Sequence, residues 1–363
     1  MPLRTGAGRV KLNGTAARSA VQCSAARPMS AACKGGGLSG FAVYGPREVR
    51  SLLDWDGCIA AVRAAMARFT AEGAGQPLRS IVEIAPGKLF GLMPGYLAAP
   101  GGFGAKVISV FPEPQQPGRS LHRGLVVLFD RESGEVACIA DAGEVTAIRT
   151  GAASAVATDV LARPDAGTLA IFGCGVQAAS HVRALMRVRR LDRILVWARS
   201  AARAREFAAR MGQELRVPVH AVADGREAAA DADIICTVTG SHTPVLLGDW
   251  VRPGTHVNAV GSSHAGPVEI DSALVLASRY FVDSRRSALA AAAEFLVARD
   301  AGLIDDRHIA AEIGEVLLGT APGRTAADEI TVYKSLGHIV QDLAAVSYLH
   351  ARAAQGAGSR RIV

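Results

Sequence analysis

Thr168 to Leu185, TLAIFGCGVQAASHVRAL, limits the possible folds more than any other stretch of the chain. A short apolar run ends in Gly173-Cys174-Gly175, and a segment of helical composition starts at once. Strand, tight glycine turn and helix N-terminus in that order leave unpaired backbone N–H groups and the positive end of a helix dipole facing one point. An anion belongs there. In Gly173-x-Gly175-x-x-Ala178 the first glycine makes the turn, the second lets a pyrophosphate approach the backbone, and the small third residue lets helix and strand pack closely. On its own such a triplet is weak, so its surroundings must decide.

From 168 onward, strand-like runs at 168–172, 193–197, 217–221, 232–238, 255–260 and 279–282 alternate with Ala-rich helical segments such as 203–215 and 225–232. That alternation predicts a doubly wound parallel sheet, with the glycine turn after its first strand, which is the context of a dinucleotide site. Gly173, Gly175, Val176 and Gln177 are therefore expected at the cofactor.

The preceding half has a different pattern. Residues 46–73 carry apolar side chains at helical spacing, and 77–141 read as mostly antiparallel strands joined by turns such as DRESGE. A helix is predicted from Thr150, a good N-cap residue. Tyr333, Leu336, Ile339, Val340, Leu343 and Val346 form one stripe of a long C-terminal helix that returns to this half. The fold class is thus α/β: a Rossmann-type domain over 150–327, and a mixed α+β domain over 41–149 completed by 328–363.

Net charge is +7, but Arg4, Arg9, Lys11, Arg18, Arg27 and Lys34 precede residue 40 with no acid among them, which leaves +1 for the remainder. With aromatics at 5%, a basic stacking surface for nucleic acid is not expected. Residues 1–40 are rich in Gly, Ala, Ser and Arg without apolar periodicity, so disorder is expected; they lack the apolar core of a secretory signal. No uninterrupted apolar run is long enough to span a membrane, and the six cysteines show no C-x-x-C pair. A cytoplasmic protein with reduced thiols and no metal is expected.

The second strand of a dinucleotide fold usually ends in Asp or Glu, which binds the adenine ribose. Here Ile194-Leu-Val-Trp197 runs into Ala198-Arg199-Ser200. A guanidinium and a hydroxyl suit a 2′-phosphate, so NADPH is expected over NADH, with Arg199 and Ser200 as its contacts. Thr237 and Thr239, after the fourth strand, fall at carboxyl ends of the sheet where the ribose and nicotinamide belong.

Three cations stand out in the strand-rich half: Arg79, Lys106 and Arg149. Arg149 lies where the chain passes from one half to the other and can face a cleft, and a guanidinium holds a carboxylate bidentately. Lys106 is informative because the chain uses 35 Arg and 5 Lys, and an ammonium can lose its proton when buried whereas Arg cannot.

The motifs Gly91-Leu-Met-Pro-Gly-Tyr, Gly104-Ala-Lys-Val, Glu144-Val-Thr-Ala-Ile-Arg-Thr, Gly173-Cys-Gly-Val-Gln, His256-Val-Asn-Ala-Val-Gly and Asp328-Glu-Ile-Thr-Val-Tyr-Lys-Ser-Leu-Gly occur in this order, and with them the chain resembles the ornithine cyclodeaminase/mu-crystallin family over about residues 45–355. The resemblance implies homodimers and a choice among imino acid reductases, cyclodeaminases, alanine dehydrogenases and mu-crystallin-like binding proteins. It places substrate binding and catalysis on Arg79, Lys106 and Arg149, the last also at the cofactor, and Gly337 at the nicotinamide. Where cyclodeaminases carry an Asp this chain has Ser263, expected at the substrate, and the missing acid argues against the lyase. His264 is an alternative acid. The reaction expected is hydride transfer to a C=N bond α to a carboxylate, as in 1-pyrroline-2-carboxylate, 1-piperideine-2-carboxylate or iminosuccinate.

Overall fold

The structure, a computed structural model, describes residues 40–73, 76–97, 101–111, 122–263 and 266–356. The expected disorder of the N-terminal extension, and His264, fall outside the described residues.

Six strands, β1 (Ala42–Tyr44), β2 (Ser80–Ala85), β3 (Lys88–Tyr96), β4 (Phe103–Val110), β5 (His122–Phe129) and β6 (Val136–Asp141), form one sheet in the order β1-β6-β5-β4-β3-β2. Strands β2 to β6 pair antiparallel, and β1 runs parallel to β6. Along β3, Gly91 and Met93 turn inward while Phe90 and Leu92 turn out, the alternation a sheet with one packed face requires. Helices α1 (Pro46–Leu52), α2 (Trp55–Glu72) and α3 (Ala142–Leu161), with the C-terminal helix Ile339–Gln355, share a core with this sheet built on Val62, Met66, Val126, Val145, Leu343 and Val346. Burying each such side chain contributes roughly 1.5–3 kcal/mol.

The second sheet contains β7 (Thr168–Phe172), β8 (Arg193–Trp197), β9 (Val219–Ala221), β10 (Ile234–Thr237), β11 (His256–Ala259), β12 (Ser278–Val282), β13 (Ile309–Glu312) and β14 (Ile330–Lys334). Its order is β13-β12-β14-β11-β10-β7-β8-β9, and every pair is parallel. Leu169 and Ile171 belong to the core on one face while Ala170 and Phe172 belong to the other, so both faces are covered. The chain leaves β7 towards β8 on one side and comes back to β10 on the other. The crevice between the carboxyl ends of β7 and β10 is the topological switch point where open α/β sheets bind ligands.

Four expectations need correction. The predicted helix 46–73 is two helices, because the Asp54 side chain accepts the Gly57 N–H and restarts the chain as α2. Thr150 is not an N-cap: Asp141 caps α3 by accepting from Glu144 N, and Thr150 is buried in mid-helix. Arg149 is a helical residue aimed inward, on the helix that carries the chain from the first sheet to the second. Tyr333 belongs to β14 rather than the C-terminal helix, since Gly337, at φ 79°, breaks the chain between them. Residues 330–334 accordingly pair with β11 and β12 in the parallel sheet; the part of 328–363 that packs on the first sheet is the helix from Ile339.

Candidate active site

At the end of β7, Gly173 adopts φ 124°, and a Cβ there would lie 3.0 Å from the Val238 carbonyl oxygen in the chain leaving β10. Only glycine fits both the conformation and the approach. Gly175 is the N-cap of α4 (Val176–Leu185) with no side-chain cap, so the first amides of the helix remain available, and a Cβ on Gly175 would meet nothing within 4 Å. The backbone thus offers donors, a dipole end and free space together, and a pyrophosphate fits. Ala178 is buried, as close helix–strand packing demands. Val176 opens the helix; Gln177 reaches back to the Thr146 carbonyl at 3.5 Å, and its own amide oxygen has no partner among the described residues.

At the end of β8, Arg199 is exposed and makes no ion pair among the described residues. Ser200 caps the helix α5 (Ala201–Leu215), accepting from Arg203 N at 3.4 Å. Thr237 and Thr239 depart from expectation. Their hydroxyls donate to Glu269, at 2.9 and 2.7 Å, instead of facing the crevice. Glu269 also accepts the Thr239 and Gly261 N–H groups, at 2.6 and 2.5 Å, because a fully buried carboxylate must collect donors. It ties the loop after β10 to the loop after β11. Beneath that second loop, Lys334 pairs with Glu294 at 2.9 Å, and Ser262 is bonded to both.

The three expected cations meet across the cleft. Lys106 projects inward from the middle of β4, only 1% exposed, and donates to Asp342 Oδ1 at 3.0 Å. Arg149, from α3, donates through Nε to the same oxygen at 3.0 Å and through Nη1 to Gln341 Oε1 at 2.9 Å. Asp342 and Gln341 lie in the first turn of the C-terminal helix. Arg79, just before β2, donates to three backbone carbonyls, Ser263 at 3.0 Å, Leu336 at 2.5 Å and Gly337 at 2.6 Å. Ser263 thus enters the site through its carbonyl oxygen. Gly337 is packed so tightly that a Cβ would lie 2.7 Å from Arg149 Nη1.

These bonds leave donors over. Arg149 Nη2, two N–H groups of Lys106 and one Nη1 hydrogen of Arg79 have no acceptor among the described residues. Burial, helped by Arg149, holds the Lys106 ammonium down to about 8 although Asp342 pulls it up. For Asp342, burial raises the carboxyl, but Arg149 and Lys106 together outweigh it and keep it below the usual carboxylate range. Burial and the Arg79 charge depress His338 to about 4, so it is neutral at neutral pH. A groove of about 500 Å³ between α2 and the C-terminal helix contains none of the three cations and is not where this chemistry sits.

Asp342, Gln341 and Asp283 were missed in the sequence. Asp342 stands three residues after Ile339 and four before Val346, a charge inside an apolar helical stripe; Asp283 follows the apolar run Tyr280-Phe-Val at a carboxyl end of the parallel sheet. Both signals were present.

A Rossmann-type sheet with an open glycine turn, together with a cation cluster of which Arg79 is bonded to the chain at the sheet's carboxyl edge, marks the class as a nicotinamide-dependent oxidoreductase. A family model described as the ornithine cyclodeaminase/mu-crystallin family matches residues 42–357, and the chain belongs to that family. It is 34% identical over 321 residues to the Delta(1)-pyrroline-2-carboxylate reductase of Bacillus cereus, covering 88% of this chain and 98% of that protein. It is 34% identical over 293 residues to the ketimine reductase mu-crystallin of Mus musculus, covering 80% and 90%. The solved Delta(1)-pyrroline-2-carboxylate reductase of Thermococcus litoralis, in complex with NADH and L-proline, superimposes with a TM-score of 0.85 at 31% identity, covering 89% of this chain and 100% of that one.

Proposed function

We propose that the protein is an NAD(P)H-dependent reductase of a C=N bond α to a carboxylate, turning a ketimine or cyclic imino acid such as 1-pyrroline-2-carboxylate into an amino acid. The observation that carries this is the convergence of Arg79, Lys106 and Arg149 with donors left over, with Arg79 bonded to the chain leaving β11 and β14 at the carboxyl edge of the sheet that also carries the glycine turn. The first amides of α4 and the space over Gly175 would hold the pyrophosphate. The reduced nicotinamide, when bound, supplies a hydride to the imine carbon.

Arg149 Nη2 and Arg79 take the substrate carboxylate, fixing the C=N carbon in a near-attack position. Asp342 and Gln341 hold Arg149, and the carbonyls of Ser263, Leu336 and Gly337 hold Arg79, so neither guanidinium must reorganise on binding. Lys106, poised near about 8, neutralises charge beside the carboxylate and relays the proton that the nitrogen needs. Cyclodeamination is disfavoured by Ser263 in place of an acid.

Two finer readings belong to the same proposal. NADPH is preferred, since Arg199 is exposed, unpaired among the described residues and beside Ser200, with no carboxylate at the end of β8. The protein acts as a homodimer through the outer face of the first sheet, where Val82, Ile84, Phe90, Leu92 and Leu125 are exposed together. The functional test is NADPH and NADH oxidation against 1-pyrroline-2-carboxylate, 1-piperideine-2-carboxylate, and pyruvate, glyoxylate or oxaloacetate with ammonia or methylamine. Ammonia release from L-ornithine without added reductant, and no oxidation on any imine, overturns the reading.

A further inference from the structure

Asp283 follows β12 and is fully buried. One carboxylate oxygen, Oδ2, accepts the Gly337 N–H at 2.6 Å; the other, Oδ1, has no hydrogen-bond partner among the described residues. The peptide joining Leu336 to Gly337 therefore lies between opposite charges, its N–H on Asp283 and its carbonyl oxygen accepting from Arg79 Nη2 at 2.5 Å. Facing Asp283 are Arg79 from before β2, Arg149 from α3, the buried Tyr280 of β12 and Tyr333 of β14, and the amides of Gly337 and Ser284. Asp342 is already shared between Lys106 and Arg149. Three cations against Asp342 and an ionised Asp283 leave one net positive charge, which the substrate carboxylate cancels; protonating the imine nitrogen then restores one.

We propose that Asp283 is the second anion of the active site, a positioning residue that orients Arg79 through the Leu336–Gly337 peptide and offsets the charge of a protonated C=N nitrogen, so that the form reduced is the iminium carboxylate. This rests on the imine reductase reading. In the step, Lys106 relays a proton to the C=N nitrogen before hydride transfer; the imine carbon then gains the hydride, the C=N π pair moves to nitrogen, and nitrogen keeps that proton. With Asp283 protonated, the site carries one more positive charge and favours a simple anion over an iminium. Burial, against the pull of Arg79, pushes the Asp283 carboxyl up to about 6, which puts this change within an accessible pH range.

The two kinds of ligand must therefore respond to pH in opposite directions. Furan-2-carboxylate, a planar carboxylate whose ring takes no proton, serves as the pure anion. Its binding to the wild-type protein, measured by calorimetry, should tighten several-fold as pH falls from about 7 to about 5, a range in which Lys106 stays charged, while kcat/KM for 1-pyrroline-2-carboxylate falls over the same range. Asp283→Asn keeps the shape and an acceptor for Gly337 N–H. It should bind furan-2-carboxylate tightly throughout about pH 5 to 7, where Lys106 stays charged, lose the acid limb of kcat/KM, and turn over about 30-fold more slowly near neutrality. Asp283→Glu should restore the wild-type signs. Parallel weakening of both anion binding and turnover in Asp283→Asn, or furan-2-carboxylate binding to wild type that ignores pH, overturns the proposal. A wild type that shows the pH-dependent binding but reduces no imine overturns the reductase reading and the iminium role with it, while the charge role of Asp283 stands on the binding arm.

Discussion

Gly173 to Ala178 and the Arg79–Lys106–Arg149–Asp342 cluster are both suited to an anion, by opposite means. The glycine turn uses backbone alone, within one short stretch, and its dipole and amides exist whenever β7 and α4 form. The cluster uses side chains from four separated places, each kept in position by another, with Asp342 bonded to two of the cations at once. A backbone device tolerates any change except added bulk. A side-chain cluster in low dielectric fails when one member is removed, because the remaining charges are then buried without a partner.

The largest expected effect comes from breaking the cluster at its centre. Asp342→Asn leaves Lys106 and Arg149 buried without their anion and should cost about 3–5 kcal/mol in urea unfolding. A loss under about 1 kcal/mol would mean that the cations are solvated and the cluster is not a unit. Gly175→Val is the counterpart on the other side. Its side chain enters space that no protein atom occupies, so stability should stay within about 0.5 kcal/mol while NAD(P)H affinity, followed by fluorescence, falls about 100-fold or more. Unchanged affinity would remove the pyrophosphate from this turn.

That contrast also explains what the sequence disclosed. The glycine turn, the parallel alternation after it and the antiparallel half before it are local patterns with fixed periods, and they matched the two sheets. Arg79, Lys106 and Arg149 were legible as unusual cations, but the pairing of Lys106 and Arg149 with one carboxylate was not, since Asp342 lies 193 residues from Arg149 in the chain. Thr150 misled because a good cap residue caps nothing when Asp141 has already begun the helix. Thr237 and Thr239 misled for a similar reason: a position at the carboxyl end of a strand does not say which neighbour, here Glu269, takes the hydroxyl.

Smaller effects refine the comparison within each side. Lys106 is protonated below its depressed value of about 8 and neutral above it, so activity that uses the ammonium should fall as pH rises through about 8. Lys106→Met should lower kcat about 100-fold and abolish that alkaline limb; near-normal kcat with only a raised KM would reduce Lys106 to a binding residue. Arg199→Ala should lower kcat/KM for NADPH about tenfold and leave NADH within about twofold, the smallest change of the set. An equal loss with both cofactors would place Arg199 away from the 2′-phosphate.

The most direct measurement compares 1-pyrroline-2-carboxylate with 1-pyrroline, the same ring without the carboxylate, as acceptors in NAD(P)H oxidation. Loss of the contacts to Arg149 and Arg79 should cost the decarboxylated imine about 1,000-fold or more in kcat/KM, with proline as the product from the carboxylated one. Equal efficiencies for the two imines, or oxidation of neither, would contradict the assignment of Arg79, Lys106 and Arg149 to the reduction of an imino acid.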